Sequence, residues 1–348
     1  MIQVVKINEA LADRYSAYLA EKPGARFGHD LEWAQVLHDT YGLVSEPLIA
    51  LDDDKVVGIC PLFLCKPITG GAHYQTSLFP SNFGPLYDSD NVLDSILKTV
   101  KEKTAALEYT EILAPIALTE ADPQHLPFSE NLDYTFRLSL LGGADKVFDG
   151  FCRDYKRILR KSVNPQEMEL IVDVDGKLIN EFYKLYVDVY AHKHGFIPHT
   201  KKLFKNLFAR YQKGAARIYM VKIKGEYTGG MFTMWTHDEV YYAWSAVKPD
   251  SANHPTHFLI WQIIQDAIAE GYDWFNMGES PRHHDGLNRF KKEWGTEVTE
   301  PVRYFIPGKI PSPNTRLYDR VSWTKKIITC LPAGIITSFI SPAIRFFL

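Results

Sequence analysis

The sequence has few cysteines, little net charge and no Cys-X-X-Cys pair. Its four cysteines, Cys60, Cys65, Cys152 and Cys330, have no histidine ligands near them. Neither a zinc site nor a disulfide framework is indicated, and a reducing cytoplasm is the expected compartment. The formal net charge of −3 argues against a protein that coats nucleic acid. Residues 1–15 lack the basic start and the apolar run of a signal peptide, so we expect no export.

Two hairpin patterns stand in corresponding positions of the two halves of the chain. In the first half, residues 47–51 and 56–64 flank a turn at 52–55. In the second half, residues 216–223 and 227–235 flank a shorter turn. Alternating apolar segments on either side of a polar or glycine-containing turn predict paired antiparallel strands.

The elements after each hairpin also correspond, at a separation of roughly 165 to 170 residues. They are predicted strands at 74–79 and 240–247, helices at 92–107 and 256–270, strands at 109–113 and 274–277, and strands at 134–140 and 302–306. Helical periodicity also marks 146–162, 178–194 and 201–213. The sequence therefore predicts an α/β (α+β) protein of two tandem mixed-sheet units, residues 1–142 and 143–310, followed by a tail at 311–348.

The tail is basic first and apolar afterwards. Residues 327–344 carry no charge and follow Arg316, Arg320, Lys325 and Lys326. An uncharged run of about 18 residues is at the short end for a spanning helix, and two prolines interrupt it. We expect a peripheral anchor on an anionic inner membrane surface, with docking on the protein's own core as the alternative.

Six short motifs occur in a characteristic order: HDLEW at 29–33, KRILRK at 156–161, HGF at 194–196, HP at 254–255, NMGE at 276–279 and FKKEWG at 290–295. In this order they resemble the Fem-type peptidoglycan aminoacyltransferases and related GNAT-like proteins of cell-envelope and polysaccharide gene sets. The resemblance covers roughly residues 25 to 306. It implies two GNAT-like units, with the chemistry in the second, and transfer of an acyl or aminoacyl group to an amine.

The resemblance places Phe290 and Lys291 at the donor channel, where an ammonium can stabilise the oxyanion of a tetrahedral intermediate. A solvated lysine is the alternative, and Lys292 is an equal candidate for the inward position. Glu279 ends a predicted strand, where ligand-binding groups collect, and is a candidate general base. The polar loop that follows contains His283 and His284, but adjacent histidines rarely converge on one ion, so we expect no metal.

The donor is expected to be an acyl-coenzyme A or an aminoacyl-tRNA, with no tightly bound cofactor. The loop at 248–255 contains no glycine. Glycine lets backbone N–H groups approach a pyrophosphate closely, so its absence weakens the case for coenzyme A as the donor and favours aminoacyl-tRNA or another activated acyl group.

Basic residues recur at helical spacing in the KRILRK region. Arg153, Lys156, Arg157, Arg160 and Lys161 are predicted to follow one helical face. Of these, Arg157, Arg160 and Lys161 are candidate ligands for the diphosphate of a nucleotide-linked or lipid-linked acceptor, for coenzyme A or for a tRNA end. A solvated helix face is the alternative.

Four further residues are candidates for substrate binding. Tyr242 and Trp244 alternate on a predicted strand and would share one face, as pocket walls or as core. Trp33 and Asn82 resemble segments that the family uses around the acceptor cleft, although a structural turn also explains the latter.

Together these observations predict an acyltransferase that acts on an amine of a cell-envelope or polysaccharide precursor at the cytoplasmic face of the membrane. An acetyl-CoA-dependent N-acetyltransferase of sugar nucleotides is the rival enzyme. A non-catalytic polysaccharide-assembly scaffold is the third possibility, and in it Lys291 and Glu279 would not share a cleft.

Overall fold

The computed structural model describes residues 2–68, 71–79, 83–114, 133–162, 167–248, 253–306 and 322–347. The chain forms two compact units. The first comprises Met1–Thr135, Thr299–Arg320 and Ala343–Leu348, and the second comprises Phe136–Val298 and Val321–Pro342. Both combine helices with mixed sheets, as the sequence predicts.

The first unit contains two sheets with the strand orders β1-β3-β4-β7 and β16-β8-β6-β5-β2. Its strands are β1 (Ile2–Lys6), β2 (Val44–Ser45), β3 (Leu48–Asp52), β4 (Lys55–Cys60), β5 (Phe63–Cys65), β6 (His73–Gln75), β7 (Leu86–Tyr87), β8 (Thr110–Ala114) and β16 (Val302–Ile306). Its α-helices are α1 (Glu9–Glu21), α2 (Leu31–Tyr41) and α3 (Asp90–Thr104).

The second unit is built on one seven-stranded sheet of order β10-β11-β12-β13-β14-β9-β15. Its strands are β9 (Asp133–Ser139), β10 (Met168–Asp173), β11 (Ala216–Ile223), β12 (Glu226–Thr236), β13 (Glu239–Val247), β14 (Trp274–Pro281) and β15 (Glu297–Thr299). Its helices are α4 (Gly143–Gly150), α5 (Arg153–Arg157), α6 (Ile179–Val187), α7 (Lys201–Arg210), α8 (Pro255–Ala269), α9 (Asp285–Lys292), α10 (Ser322–Cys330) and α11 (Ala333–Ile335).

Both predicted hairpin turns are confirmed, but the strand predicted at 56–64 is divided, because β4 ends at Cys60 and β5 (Phe63–Cys65) belongs to the other sheet of the first unit. Asp52 pairs with Lys55 across a two-residue turn in which Asp53 has φ +50°. Ile223 pairs with Glu226 across Lys224 and Gly225, which have φ +53° and +81°. In this second turn, positive φ at both central residues matches the twist of the flanking strands and fixes their register.

The sheet membership of two strands differs from the predicted division of the chain. The strand predicted at 134–140 is β9, which joins the seven-stranded sheet, and the strand predicted at 302–306 is β16, which pairs antiparallel with β8. Each unit therefore receives the strand assigned to the other. Alternation specifies which face of a strand is buried but does not specify its partner.

The helix predicted over 146–162 is interrupted. α4 ends at Gly150, and α5 begins after Cys152, whose Sγ accepts from the Tyr155 N–H at 3.4 Å. A π-helical turn, Ile158–Ser162, follows α5. Because the π-turn is hydrogen-bonded from i to i+5 and has more residues per turn than an α-helix, the predicted basic stripe does not follow one regular α-helical face.

The described part of the tail packs on the protein. In the second unit, the Leu331 carbonyl oxygen lies 3.2 Å from Nε2 of His192. In the first unit, Arg345 donates to the Tyr41 carbonyl at 3.1 Å. A π-turn (Ile336–Ile340) and a 3-10 helix (Ser341–Phe347) connect these contacts. Among the described residues, no helix has the length and apolarity required to cross a membrane.

Candidate functional site

The candidate site lies where β13 and β14 separate. The two parallel strands pair only over three positions, Glu239–Trp274, Val240–Phe275 and Tyr241–Asn276. β13 continues to Val247 and β14 to Pro281 without further pairing to each other. Ligands of α/β proteins bind at such carboxyl ends of parallel strands. We call this gap, bounded by residues 242–247 and 277–281, the wedge.

A bulge in β13 lies directly after the separation point. Phe232 of β12 pairs with Trp244 and Thr233 pairs with Tyr242, so Ala243 is the extra residue. A bulge bends its strand and leaves the extra residue outside the ladder, which is why bulges often border binding sites. It also interrupts the alternation on which the predicted shared face of Tyr242 and Trp244 depends.

Tyr242 and Trp244 lie in different surroundings. Trp244 is 2% exposed and packs edge-on against Phe204 and Phe232 at 5.3 and 5.5 Å, in the core. Tyr242 is half-buried with its ring 6.3 Å from that of Phe275, and burial raises its pKa to about 12. Tyr242 is therefore the better placed of the two for contact with a ligand.

A chain of buried hydrogen bonds joins the strands at the separation point. Asn276 donates to Glu239 at 3.0 Å and accepts from the Gly278 N–H at 2.8 Å. The other oxygen of Glu239 accepts from Arg137 at 2.8 Å. Asn276 and Glu239 are 0% and 3% exposed. We call these four residues the strand clamp, since they fix the place where β14 leaves β13.

Lys291 projects from α9 towards β14, next to Gly278 of the strand clamp. Its Nζ donates to the carbonyl oxygens of Gly278 and Glu279 at 3.2 and 2.7 Å and lies 5.2 Å from the Phe136 ring centre. Lys291 is 5% exposed whereas Lys292 is exposed, so Lys291 is the inward lysine. A buried ammonium is tolerated only with such partners, and its charge here lies along β14.

The contact brings Lys291 and Glu279 together through the Glu279 backbone, and the Glu279 side chain is half-buried. Two polar atoms next to them are buried without a hydrogen-bond partner, Oγ of Ser280 and Oδ1 of Asn288. Buried polar groups are nearly always paired in the absence of a functional reason. Two buried polar atoms without hydrogen-bond partners therefore lie near the carboxyl end of β14, close to the buried ammonium of Lys291.

The other face of α9 carries Phe290 into an aromatic cluster. Tyr155 of α5 donates to the Phe290 carbonyl at 3.1 Å, and Trp294 packs against Tyr155 at 5.0 Å. His257 of α8 lies 4.5 Å from the Tyr155 ring and 5.8 Å from the Phe290 ring. α5, α8 and α9 therefore meet around this imidazole.

Both ring nitrogens of His257 are buried without a hydrogen-bond partner. Burial, and then the neighbouring His254, lower the pKa of His257 to about 4, so the ring is neutral at physiological pH. The sequence predictions omitted His257. The sequence feature that could have indicated His257 is its position three residues after His254, at the start of a helix. That spacing does not show which aromatic rings surround the imidazole.

Two arginines of the KRILRK segment lie on the outside of this cluster. Arg157 is exposed and pairs with Asp154 at 3.2 Å, and Arg160 is exposed with its guanidinium 4.8 Å from the Phe148 ring centre. Lys161 lies in the π-turn. The exposed guanidinium groups are accessible to a phosphate, whereas Tyr155 points inward.

The first-unit candidates are placed differently. Trp33 is 0% exposed, donates to the Leu78 carbonyl at 3.3 Å and packs against Phe27 at 5.2 Å, which is the environment of a core residue. Asn82 lies outside the described residues. Within the described part of the chain, no group of three or more His, Cys, Asp or Glu could hold a metal ion.

Residues 150–292, which include β13, β14, Phe290 and Lys291, match the family model described as the acetyltransferase (GNAT) domain. The match to a GNAT-type domain lies in the second half of the chain, where the resemblance places the chemistry. A search of the curated proteins found no significant match.

Solved structures share the fold over most of the chain. A crystal structure of FemX is 15% identical, with a TM-score of 0.69 over 92% of this chain and 99% of FemX. The C-terminal domain of a putative lysylphosphatidylglycerol synthetase from Agrobacterium fabrum is 12% identical, with a TM-score of 0.53 over 86% and 92%. A tandem GNAT protein from the clavulanic acid biosynthesis pathway is 10% identical, with a TM-score of 0.52 over 90% and 100%. At these identities the likeness establishes the fold.

Proposed function

We propose that this chain is an acyltransferase that moves an acyl or aminoacyl group from an activated donor to an amine of a cell-envelope precursor. The observation that carries the proposal is the wedge between β13 and β14, with the buried ammonium of Lys291 on its β14 side. The GNAT-type match over residues 150–292 supports acyl transfer as the reaction class. The fold shared with FemX and with a lysylphosphatidylglycerol synthetase domain supports the aminoacyl form and the envelope context.

In the proposed reaction the acyl carbonyl lies in the wedge, between the segments of β13 and β14 that do not pair with each other. The neutral amine attacks the carbonyl carbon, a C–N bond forms, and the bond to the leaving thiol or tRNA hydroxyl breaks. Glu279 takes the proton that the amine loses and passes it to the sulfur or oxygen of the leaving group as that bond breaks. Lys291 places positive charge where the carbonyl oxygen becomes negative.

The remaining candidates have supporting roles in the proposal. Phe290 and Tyr242 line the donor side, and Arg157, Arg160 and Lys161 hold phosphates of the donor or acceptor. The acceptor is a nucleotide-linked or lipid-linked precursor, and the enzyme acts at the inner face of the cytoplasmic membrane.

A second candidate is an N-acetyltransferase that uses acetyl-CoA and acts on a sugar nucleotide. The description of the matching family as an acetyltransferase favours it. The lack of glycine at 248–255 weighs against a coenzyme A pyrophosphate site of the usual form. A scaffold without chemistry is the third candidate, and it predicts that the side chains of Lys291 and Glu279 do not act in one site; the contact between the two residues runs through the Glu279 backbone carbonyl.

The proposal is tested by incubating the intact protein separately with acyl-coenzyme A thioesters and with charged tRNAs, and by following the thermal midpoint of unfolding. Stabilisation by charged tRNA supports aminoacyl transfer, and stabilisation by one thioester supports the N-acyltransferase. The donor that binds is then supplied with amine acceptors, and acyl transfer is measured directly. Stabilisation by no donor contradicts the proposal and leaves the scaffold as the better account.

Lys291→Met and Lys292→Met form a matched pair for the chemistry, because the two lysines are adjacent but only Lys291 is buried. Loss of an oxyanion-stabilising group typically lowers kcat by about 10²- to 10³-fold. We expect that loss for Lys291→Met, with little change for Lys292→Met and with donor binding retained in both. Equal kcat values for the two folded variants would exclude a catalytic role for Lys291.

A further inference from the structure

The tail docks on the protein with one face and exposes apolar side chains on another. Ile336 and Ile344 are 0% and 7% exposed, and Ile340 between them is partly buried. These residues are four apart and form an inward stripe. Ile335 and Phe339, also four apart, are 43% and 74% exposed. The docking of the tail therefore leaves a second apolar stripe in water.

This exposure is unusual for the chain. Three of the eight large apolar residues that are exposed in the described regions belong to the tail: Ile327, Ile335 and Phe339. Phe339 is the most exposed of the eight and the only aromatic residue among them. An isolated exposed aliphatic residue needs no explanation, but a concentrated group that includes a phenylalanine indicates an interaction surface.

The charge of the same segment is one-sided. Residues 322–347 contain Lys325, Lys326 and Arg345 and no acidic residue. Lys325 and Lys326 are exposed and directly precede Ile327. Arg345 is exposed and donates to the Tyr41 carbonyl. We refer to Lys325, Lys326, Ile327, Ile335 and Phe339 as the tail surface.

We propose that the tail surface binds an anionic phospholipid bilayer peripherally. Phenylalanine and isoleucine side chains enter the boundary between head groups and acyl chains, while the lysines contact lipid phosphates. Charge complementarity selects this occupant, since both charged residues of the tail surface, Lys325 and Lys326, are basic and match an anionic bilayer. The attachment is reversible, because a few side chains insert and the inward stripe stays on the protein. The inference concerns a surface separate from the wedge and does not depend on the proposed transfer reaction.

The test is co-sedimentation of the intact protein with vesicles of phosphatidylglycerol and phosphatidylcholine in equal parts, and with vesicles of phosphatidylcholine alone. We expect binding to the mixed vesicles that weakens as salt is added, and weaker binding to pure phosphatidylcholine. Phe339→Ser should lower the affinity for mixed vesicles by about tenfold. Lys326→Glu should lower it several-fold and only at low salt.

Leu141→Ser and Val172→Ser are the matched controls, because Leu141 and Val172 are 56% and 41% exposed but lie outside the tail. Both should bind vesicles as the native protein does. Phe339 is mostly in water, so Phe339→Ser should leave the thermal midpoint unchanged. The proposal is overturned if the native protein does not bind anionic vesicles, or if Phe339→Ser and the controls bind equally. It is also overturned if Phe339→Ser abolishes a dimer in solution without affecting vesicle binding, since the surface then joins two copies of this chain.

Discussion

Replacing Asn276 by aspartate should make the stability of the second unit depend on pH in a way that the native protein does not show. Asn276 is fully buried and its Nδ2 lies 3.0 Å from Oε1 of Glu239. In Asn276→Asp the new carboxylate still accepts from the Gly278 N–H, but its second oxygen faces a carboxylate. Arg137 supplies one positive charge for two negative ones. One member of the pair must therefore bind a proton or repel the other.

The expected magnitude follows from the shift in pKa. Repulsion raises the pKa of the pair above the unfolded value of about 4, so the folded state binds more protons than the unfolded state in that range. Stability is then fully present at low pH and is lost as pH rises through the raised pKa. A rise of about two units corresponds to a loss of about 2.7 kcal/mol above pH ~6.5. Asn276→Ala should cost about 2 kcal/mol, with no added pH dependence, because it leaves buried partners unpaired.

The assay is urea unfolding followed by tryptophan fluorescence at pH ~5 and ~8, values that lie on either side of the expected raised pKa. Trp33 is the one tryptophan in the first unit, so the signal reports mainly on the second. The difference between native and Asn276→Asp proteins should be larger at the higher pH, whereas the difference for Asn276→Ala should be constant. The reasoning is refuted if Asn276→Asp is as stable as the native protein at high pH, or if its deficit is the same at both values.

Three further predictions concern the site and the first unit. The native protein should lose stability as pH falls from ~6.5 towards 4, by up to about 1.4 kcal/mol per pH unit, because the folded-state pKa of His257 is lowered to about 4. His257→Phe should remove this part of the pH dependence. Unfolding free energies at pH ~7 and ~5 check it, and an unchanged difference between the two pH values contradicts it. Gly278→Ala should lower the free energy of unfolding by about 2 kcal/mol, since Gly278 has φ +69° and the new Cβ would lie 2.9 Å from the Tyr241 hydroxyl. In a double-mutant cycle, a Tyr241→Phe background should recover part of this loss. Full stability of Gly278→Ala alone contradicts the prediction. Glu46→Gln should lower the free energy of unfolding by about 1 kcal/mol at neutral pH, because the hydrogen bond from Lys103 lowers the pKa of Glu46 to about 2. The higher stability of the native protein should be present above pH ~4.5 and should vanish as pH falls towards 2. A difference in unfolding free energy that is constant with pH contradicts the prediction.

Local features of this fold were predictable from the sequence. The turn at Lys224 and Gly225 and the strands on either side of it follow from residue types that are close in the chain. The start of α8 at Pro255 follows from the preference of proline for the first helical turn. These signals act over a few residues, so distant parts of the chain do not alter them.

Features that depend on distant residues were not predictable. The charge run around Lys291 and Lys292 does not show which lysine is inward; the carbonyls of Gly278 and Glu279 decide it. The bulge at Ala243 separates the surroundings of Tyr242 and Trp244 although simple alternation pairs them. In the same way, β9 and β16 each belong to a sheet other than the one predicted, because tertiary packing decides which strands pair.

The measurement that tests the central claim most directly is hydrogen exchange of the intact chain with and without each activated donor. If the donor occupies the wedge, amides in residues 242–247 of β13 and 277–280 of β14 should exchange more slowly when it is bound, since those segments do not pair with each other. Lys291→Met should keep this protection while losing transfer. Protection confined to other segments, or no protection with any acyl-coenzyme A or charged tRNA, would contradict the assignment of the wedge as the acyl-donor site.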